Sequence, residues 1–300
     1  MVARRWAGVW SVAQIGPANR PAGRPQGAIR NGILKGIMEP LVEELLSWKL
    51  AVVGLWFVAF FVAERLLPAA PMPAELAAPD ARRRRLGRNL AFWAINGGLS
   101  LAFVVPVTAF ASAHPLWDRP GWWSGLPGLA LDLLLLDLGI YWWHRLNHEW
   151  KLLWRFHAIH HLDRTLDASS ALRFHVGEVA LSASVRAAAM IALAVPVASV
   201  LLFETLLLLA TIFHHSNLKL PRRFERAISR AVITPEIHWV HHHAVRRDTD
   251  SNYGSFVTLW DILFGTRNRR PREYGMEIGV EDRSEAPLPE LLLRPFRRQG

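Results

Sequence analysis

The chain contains no cysteine. Disulfides, thiolate nucleophiles, iron–sulfur clusters and cysteine-based zinc sites are therefore excluded, and any metal must be held by histidine or carboxylate. No HExxH pairing supplies a glutamate base beside two histidines, which disfavours a zinc hydrolase. No nucleic-acid-binding motif accompanies the 35 lysines and arginines, so nucleic acid is not expected as a partner. No repeat of 20–50 residues is visible. The first 37 residues hold no apolar core of the length a cleaved signal needs.

Long apolar runs are abundant. Of the 300 residues 51% are hydrophobic, so the positive charge must be segregated from the grease along the chain. A membrane helix needs about 20 mostly apolar residues. Residues 50–67, 90–111 and 126–143 each satisfy this, and the third run has tryptophans at both ends, as at the two bilayer interfaces. The fourth run, 179–213, would be about 50 Å long as one helix. Pro196 sits near its middle, which predicts two short antiparallel spans turning there. The fold class expected is an all-α integral membrane protein: two spans, a third, then a short hairpin, with a cap of histidine-bearing helices.

Loop charge sets the orientation. Residues 65–88 hold six arginines, whereas 113–125 hold only Arg119. Positive-inside logic puts 68–89, 144–178 and 214–300 in the cytoplasm, which is self-consistent only if 179–213 is a hairpin. Residues 1–37 then lie outside, although they carry six basic residues and no acid. They are expected to be disordered or a misassigned start, with Met38 as the other candidate initiator. The membrane-embedded domain is expected over 38–279 with its motif core at 126–266, and 280–300 as a loosely held tail.

The thirteen histidines cluster. HRLNH supplies His144 and His148, HAIHH supplies His157, His160 and His161, and HWVHHH supplies His238, His241, His242 and His243. Residues i, i+3 and i+4 share one helical face, so each box offers imidazoles in register for metal. By composition alone an HxxHH should arise on the order of once in forty such chains, and here it occurs twice. A helical wheel groups His238, His241 and His242 and turns His243 away by about 100°. Glu149 follows His148 but points off the ligand face. All-nitrogen ligation suits zinc, copper, iron or nickel. Asp137, seven residues before His144 inside an apolar run, is expected to accept a hydrogen bond from a ligand imidazole or from Arg145.

Order, spacing and connecting words together (HRLNH, HAIHH, RFHVGE, FHHSN, TPEIHWVHHH, NYGS and LWDILFGT) resemble the fatty acid hydroxylase/sterol desaturase superfamily. The resemblance implies a membrane-bound, O2-dependent di-iron oxidoreductase that hydroxylates a fatty acyl or sterol-like lipid from the bilayer at the cytoplasmic face. Desaturation on the same scaffold, or a non-redox zinc enzyme or metal-binding membrane protein, are the alternatives. It implies two irons held by His144, His148, His157, His160, His161, His238, His241 and His242, with His175 and His215 as further site members. Electrons would come from a separate donor protein, and zinc could load on overexpression. One departure stands out: some relatives carry HxxxH where this chain has Thr211 and His215. His214 is a possible substitute. Asp250, Asn252 and Asp261 match family words without an assigned role.

Overall fold

The computed structural model describes residues 48–273 and 275–297. The expectations for 1–37, and for Met38 as a start, lie outside the described residues. Among those described, helices dominate and the only strand-like pairings are isolated bridges such as Pro68 with Leu218.

Helix α1 covers Lys49–Leu66 and α2 covers Pro79–Ala113, with a π-helical turn at Ser100–Val104. Next come α3 (Gly125–Glu149) and α4 (Lys151–His161). The hairpin follows as α5 (Val176–Leu193) and α6 (Val197–His215). Short helices α7 (Arg222–Ile228), α8 (Pro235–His241), α9 (Arg246–Thr249), α10 (Leu259–Leu263) and α11 (Leu288–Leu293) complete the cap. Four helices, α2, α3, α5 and α6, are long and apolar enough to cross a membrane, the mark of a multi-pass membrane protein.

The first expected span is a helix but falls outside those four. Its 18 residues include Lys49, Glu64 and Arg65. It is tied to the bundle by polar contacts: Glu64 accepts from the backbone N–H of Ala168 (2.9 Å) and of Asn217 (3.0 Å), and Trp56 donates to the Leu209 carbonyl at 2.9 Å.

The second span begins earlier than hydropathy indicates, at Pro79 rather than Leu90, because Pro79 and Asp80 make a good helix start. The arginine-rich stretch is therefore helical. Arg85, Asn89 and Phe92 follow a helical repeat and are the buried residues of this part of α2. Arg85 reaches Asp163 through two hydrogen bonds of 2.6 and 2.8 Å and Asp167 at 2.7 Å.

The hairpin is present, and its turn is Ala194–Pro196, where Ala194 takes a left-handed conformation (φ 51°). At that end Asp132 of α3 accepts from Ser199 of α6 (2.7 Å) and from Trp123 (3.0 Å), and pairs with Arg119. His144 and His148 lie at the opposite end of α3, and His215 at the opposite end of α6.

The tail is not loosely held through residue 297. Leu291 of α11 is fully buried against Phe92, Ile159 and Leu162, and Glu285 makes two 2.8 Å hydrogen bonds with Arg173. A Pro- and charge-rich composition concealed this, since a single aliphatic turn and one ion pair suffice to dock the segment.

Candidate metal centre

Nine histidines converge in two groups. His144, His148, His157, His161 and His241 form one, and His160, His215, His238 and His242 the other; the ligand atoms in each lie within 4.8 Å of one another. None of the nine is more than 8% exposed. The two groups abut: the rings of His161 and His242 stack at 4.1 Å, and those of His241 and His238 lie 5.1 Å apart.

The register of each box explains this division. On α4, His157 and His161 are one turn apart and serve the first group, while His160 serves the second. On α8 and its C-cap His242 the roles reverse: His238 and His242 serve the second group and His241 the first. Neighbouring residues differ by about 100° around a helix, so each HxxHH spans both groups instead of serving one. The HxxxH pair on α3 serves the first group alone.

In five of the nine, the ring nitrogen facing away from the groups is held by an acceptor. Nδ1–H of His144 donates to the Tyr253 carbonyl (2.8 Å), His160 to Arg173 (3.0 Å), His215 to Thr211 (2.8 Å) and His241 to Ser251 (2.7 Å). His157 Nδ1–H donates to Glu178 Oε1 at 2.8 Å. A donor at Nδ1 leaves a neutral imidazole with a lone pair at Nε2. The Nε2 atoms of His160 and His215 are 3.0 Å apart, so two lone pairs face each other. Only a cation between them relieves that repulsion. A proton is a poor choice, because burial first, then His215 and His157, hold His160 well below the usual histidine pKa. Burial and neighbouring imidazoles act likewise on His161, His238 and His242, and push His241 down to about 3. Two inner nitrogens, His148 Nε2 and His241 Nε2, have no hydrogen-bond partner although buried. Buried, neutral, unpartnered imidazoles are what metal ligation requires. The residues present therefore fit two metal ions.

His243 lies outside both groups, but not by the helical wheel: α8 ends at His241, and His243 sits past it in a bridge with Ile278. Its Nδ1 donates to Asp248 at 2.7 Å, and Asp248 also takes Arg270 at 2.6 Å. His215 joins the second group, whereas Thr211 turns its hydroxyl to the Leu207 carbonyl. His214 is buried beside His238, with ring centroids 4.1 Å apart, but is a member of neither group.

Two expectations need correction. His175 lies in neither group: it caps α5, with Nδ1 accepting from Gly177 N–H (3.0 Å) and Nε2–H donating to the Leu292 carbonyl (3.0 Å). Both nitrogens are spent, so the ring pins α11 against α5. Asp137 touches no ligand imidazole and not Arg145. It accepts from the Trp260 indole (2.8 Å) and the Val257 N–H (3.4 Å), anchoring the segment before α10, while Arg145 pairs with Glu149 at 2.7 Å. Of the unassigned residues, Asp261 accepts from the Tyr253 and Gly254 N–H groups at 2.8 and 2.9 Å, so it shapes the loop that holds His144. Asp250 Oδ1 lies 3.4 Å from His148 Nδ1.

Sequence reasoning missed Glu178 and the Arg85–Asp163–Asp167 cluster. Burial raises Asp163, but Arg85 and then Arg173 outweigh it and hold that carboxyl at about 2. This charged knot fastens the segment after α4 to α2, and so fixes where His160 and His161 sit. Glu178 follows Gly177, where a Cβ would meet the Phe156 ring at 2.7 Å; glycine there lets α5 press against α4 and brings Glu178 to His157.

An all-helical membrane bundle capped by two buried histidine groups defines a class of membrane protein with a metal site at the end of its spans. Residues 129–266 match the fatty acid hydroxylase family. Ornithine lipid hydroxylase OlsE of Rhizobium tropici is 28% identical over 214 residues, which make up 68% of this chain and 64% of that protein. Human alkylglycerol monooxygenase is 30% identical over 151 residues, 50% of this chain and 31% of that protein. The Delta(7)-sterol-C5(6)-desaturase of Nicotiana tabacum is 28% identical over 152 residues, 49% of this chain and 51% of that protein. The matched part thus falls short of the full length of each relative. No solved structure matches the chain. The chain belongs to the fatty acid hydroxylase/sterol desaturase superfamily.

Proposed function

We propose that this chain is an O2-dependent di-iron lipid hydroxylase with its active site at the cytoplasmic face of the membrane. The observation that carries the reading is the division of nine buried imidazoles into groups of five and four. Iron held by both groups would supply O2 activation and the oxidising power to break a lipid C–H bond. The chain's own residues do the rest. Carbonyl acceptors and Glu178 hold five imidazoles in one tautomer with Nε2 inward. Trp154 packs over the first group, its ring 5.0 Å from His148 and 5.4 Å from His161, and screens it from water.

The spans deliver the substrate to this site, since His144, His148 and His215 sit at the ends of α3 and α6. The arginines of α2 and the basic cap favour the cytoplasmic side. Electrons come from a separate donor protein, and zinc competes for the same nitrogens on overexpression. The desaturase among the relatives keeps desaturation as the second reading. Metal analysis of protein from iron-sufficient cells, with O2 uptake on a lipid extract, tests the proposal. About two irons per chain and lipid-dependent O2 consumption are expected. One metal or none, or full turnover with zinc alone, would overturn it.

A further inference from the structure

An open cavity of about 690 Å³ lies where α3 ends and α4 begins, with His148, Trp154, Lys151, Arg155, Arg246 and Arg283 in its wall. His148 belongs to the first histidine group, so the floor of this cavity is the wall of the metal centre. Trp154 stands between it and His161. Arg246 lies over Trp154, its guanidinium carbon 4.4 Å from the ring centroid, and donates to the His148 carbonyl at 2.6 Å.

The cavity is electropositive. Its four cations face one lining carboxylate, Glu149, which is paired with Arg145 at 2.7 Å, and nearby Asp250 is paired with Arg246 at 2.7 Å. The field acts on Arg283, whose pKa is lowered by burial first and then by Arg294, Arg246 and Arg155. Arg155 is positioned by donating to the Arg297 carbonyl at 2.8 Å.

Leu152 of the wall and its chain neighbours are of another character. Leu146, Trp150 and Leu152 are all exposed. Exposed tryptophan and leucine beside lysine and arginine, one to two turns beyond the apolar part of α3, mark the headgroup level of a bilayer.

Resting on the reading above, we infer that this cavity is the headgroup site of the substrate: it takes the phosphate or carboxylate of an anionic lipid and sets the polar end of that lipid beside the first histidine group. A volume of about 690 Å³ suits a headgroup, within the range of about 300–1,000 Å³ typical of small-molecule sites. A docked redox protein would instead use a broad, flat patch. The carbon presented for oxidation is then one near the headgroup, not the far end of an acyl chain.

The test uses metal-loaded full-length protein in a neutral detergent. Dihexanoyl phosphatidylglycerol, dihexanoyl phosphatidylcholine and inorganic phosphate are titrated, with tryptophan fluorescence and calorimetry as readouts. Phosphatidylglycerol should bind at least about tenfold more tightly than the other two, and less tightly as salt rises. Lys151→Glu/Arg155→Gln should weaken that binding on the order of tenfold or more while metal content stays unchanged. Arg83→Glu, a remote exposed charge on α2, should not. Equal binding of the two lipids, binding of free phosphate as tight as the lipid, or a double variant that binds like wild type would each overturn the inference. So would a double variant that keeps lipid binding but can no longer be reduced by a protein donor, since the cavity would then serve electron delivery. Failure of the di-iron reading shows separately, as missing metal in the wild type.

Discussion

His157 Nδ1–H donates to Glu178 Oε1 across two helices, at 2.8 Å, with both side chains buried. The carboxylate fixes the ring so that Nε2 faces the other histidines of its group. Glu178→Gln keeps an acceptor oxygen, whereas Glu178→Ala removes it. Metal affinity and turnover should fall on the order of 10–100-fold in the alanine variant and less in the glutamine variant. Metal titration of both, with His157→Ala as the reference for complete loss, checks this.

The six residues HWVHHH divide by function. His238→Ala, His241→Ala and His242→Ala should each abolish turnover and lower metal content, because each opens a coordination position. His243→Ala should retain a measurable fraction, since that ring is bound to Asp248. Metal content and product formation should rank the four variants in that way; an inactive, metal-depleted His243→Ala beside an active His242→Ala would contradict the geometry.

Arg85 is buried among Asp163 and Asp167 and is a pillar of the fold. Arg85→Ala strands two buried carboxylates and should cost about 3–5 kcal/mol of stability. The expected signature is a large fall in Tm in detergent with metal lost in parallel. Arg83→Ala, four-fifths exposed and only two residues away, should change Tm little.

The absence of native cysteine makes single-cysteine mapping clean. Arg83→Cys and Arg247→Cys should label from the cytoplasmic side of oriented vesicles, and Leu116→Cys from the other. Leu116 is preferred to Arg119, which is paired with Asp132. Labelling of Arg83→Cys and Arg247→Cys from opposite sides would separate α2 from the cap, in conflict with the Arg85–Asp163 contact.

Much of this was legible in the residues alone. Apolar run length located α3, α5 and α6, because a span must satisfy its backbone internally and cover its surface with grease. Helical spacing singled out eight of the nine grouped histidines, because the angle between successive residues is a local property of the helix; His243 lies past the end of α8, where a bridge to Ile278 and not the helical angle directs it. The connecting words carried the family and brought in His215. Other features depended on contacts distant in sequence. Nothing in HxxHH states that one imidazole of each box serves a different group from its companions; that follows from how α4 and α8 face each other. His175 reads as one more ligand, yet its nitrogens are taken by Gly177 and by Leu292, which is 117 residues away. Arg85 reads as loop charge until its spacing with Asn89 and Phe92 meets Asp163, 78 residues on. Periodicity reports which face of an element is apolar or ligand-bearing. Which partner meets that face is decided by packing, and packing also turned Asp137 toward Trp260 and left Glu178 to orient His157.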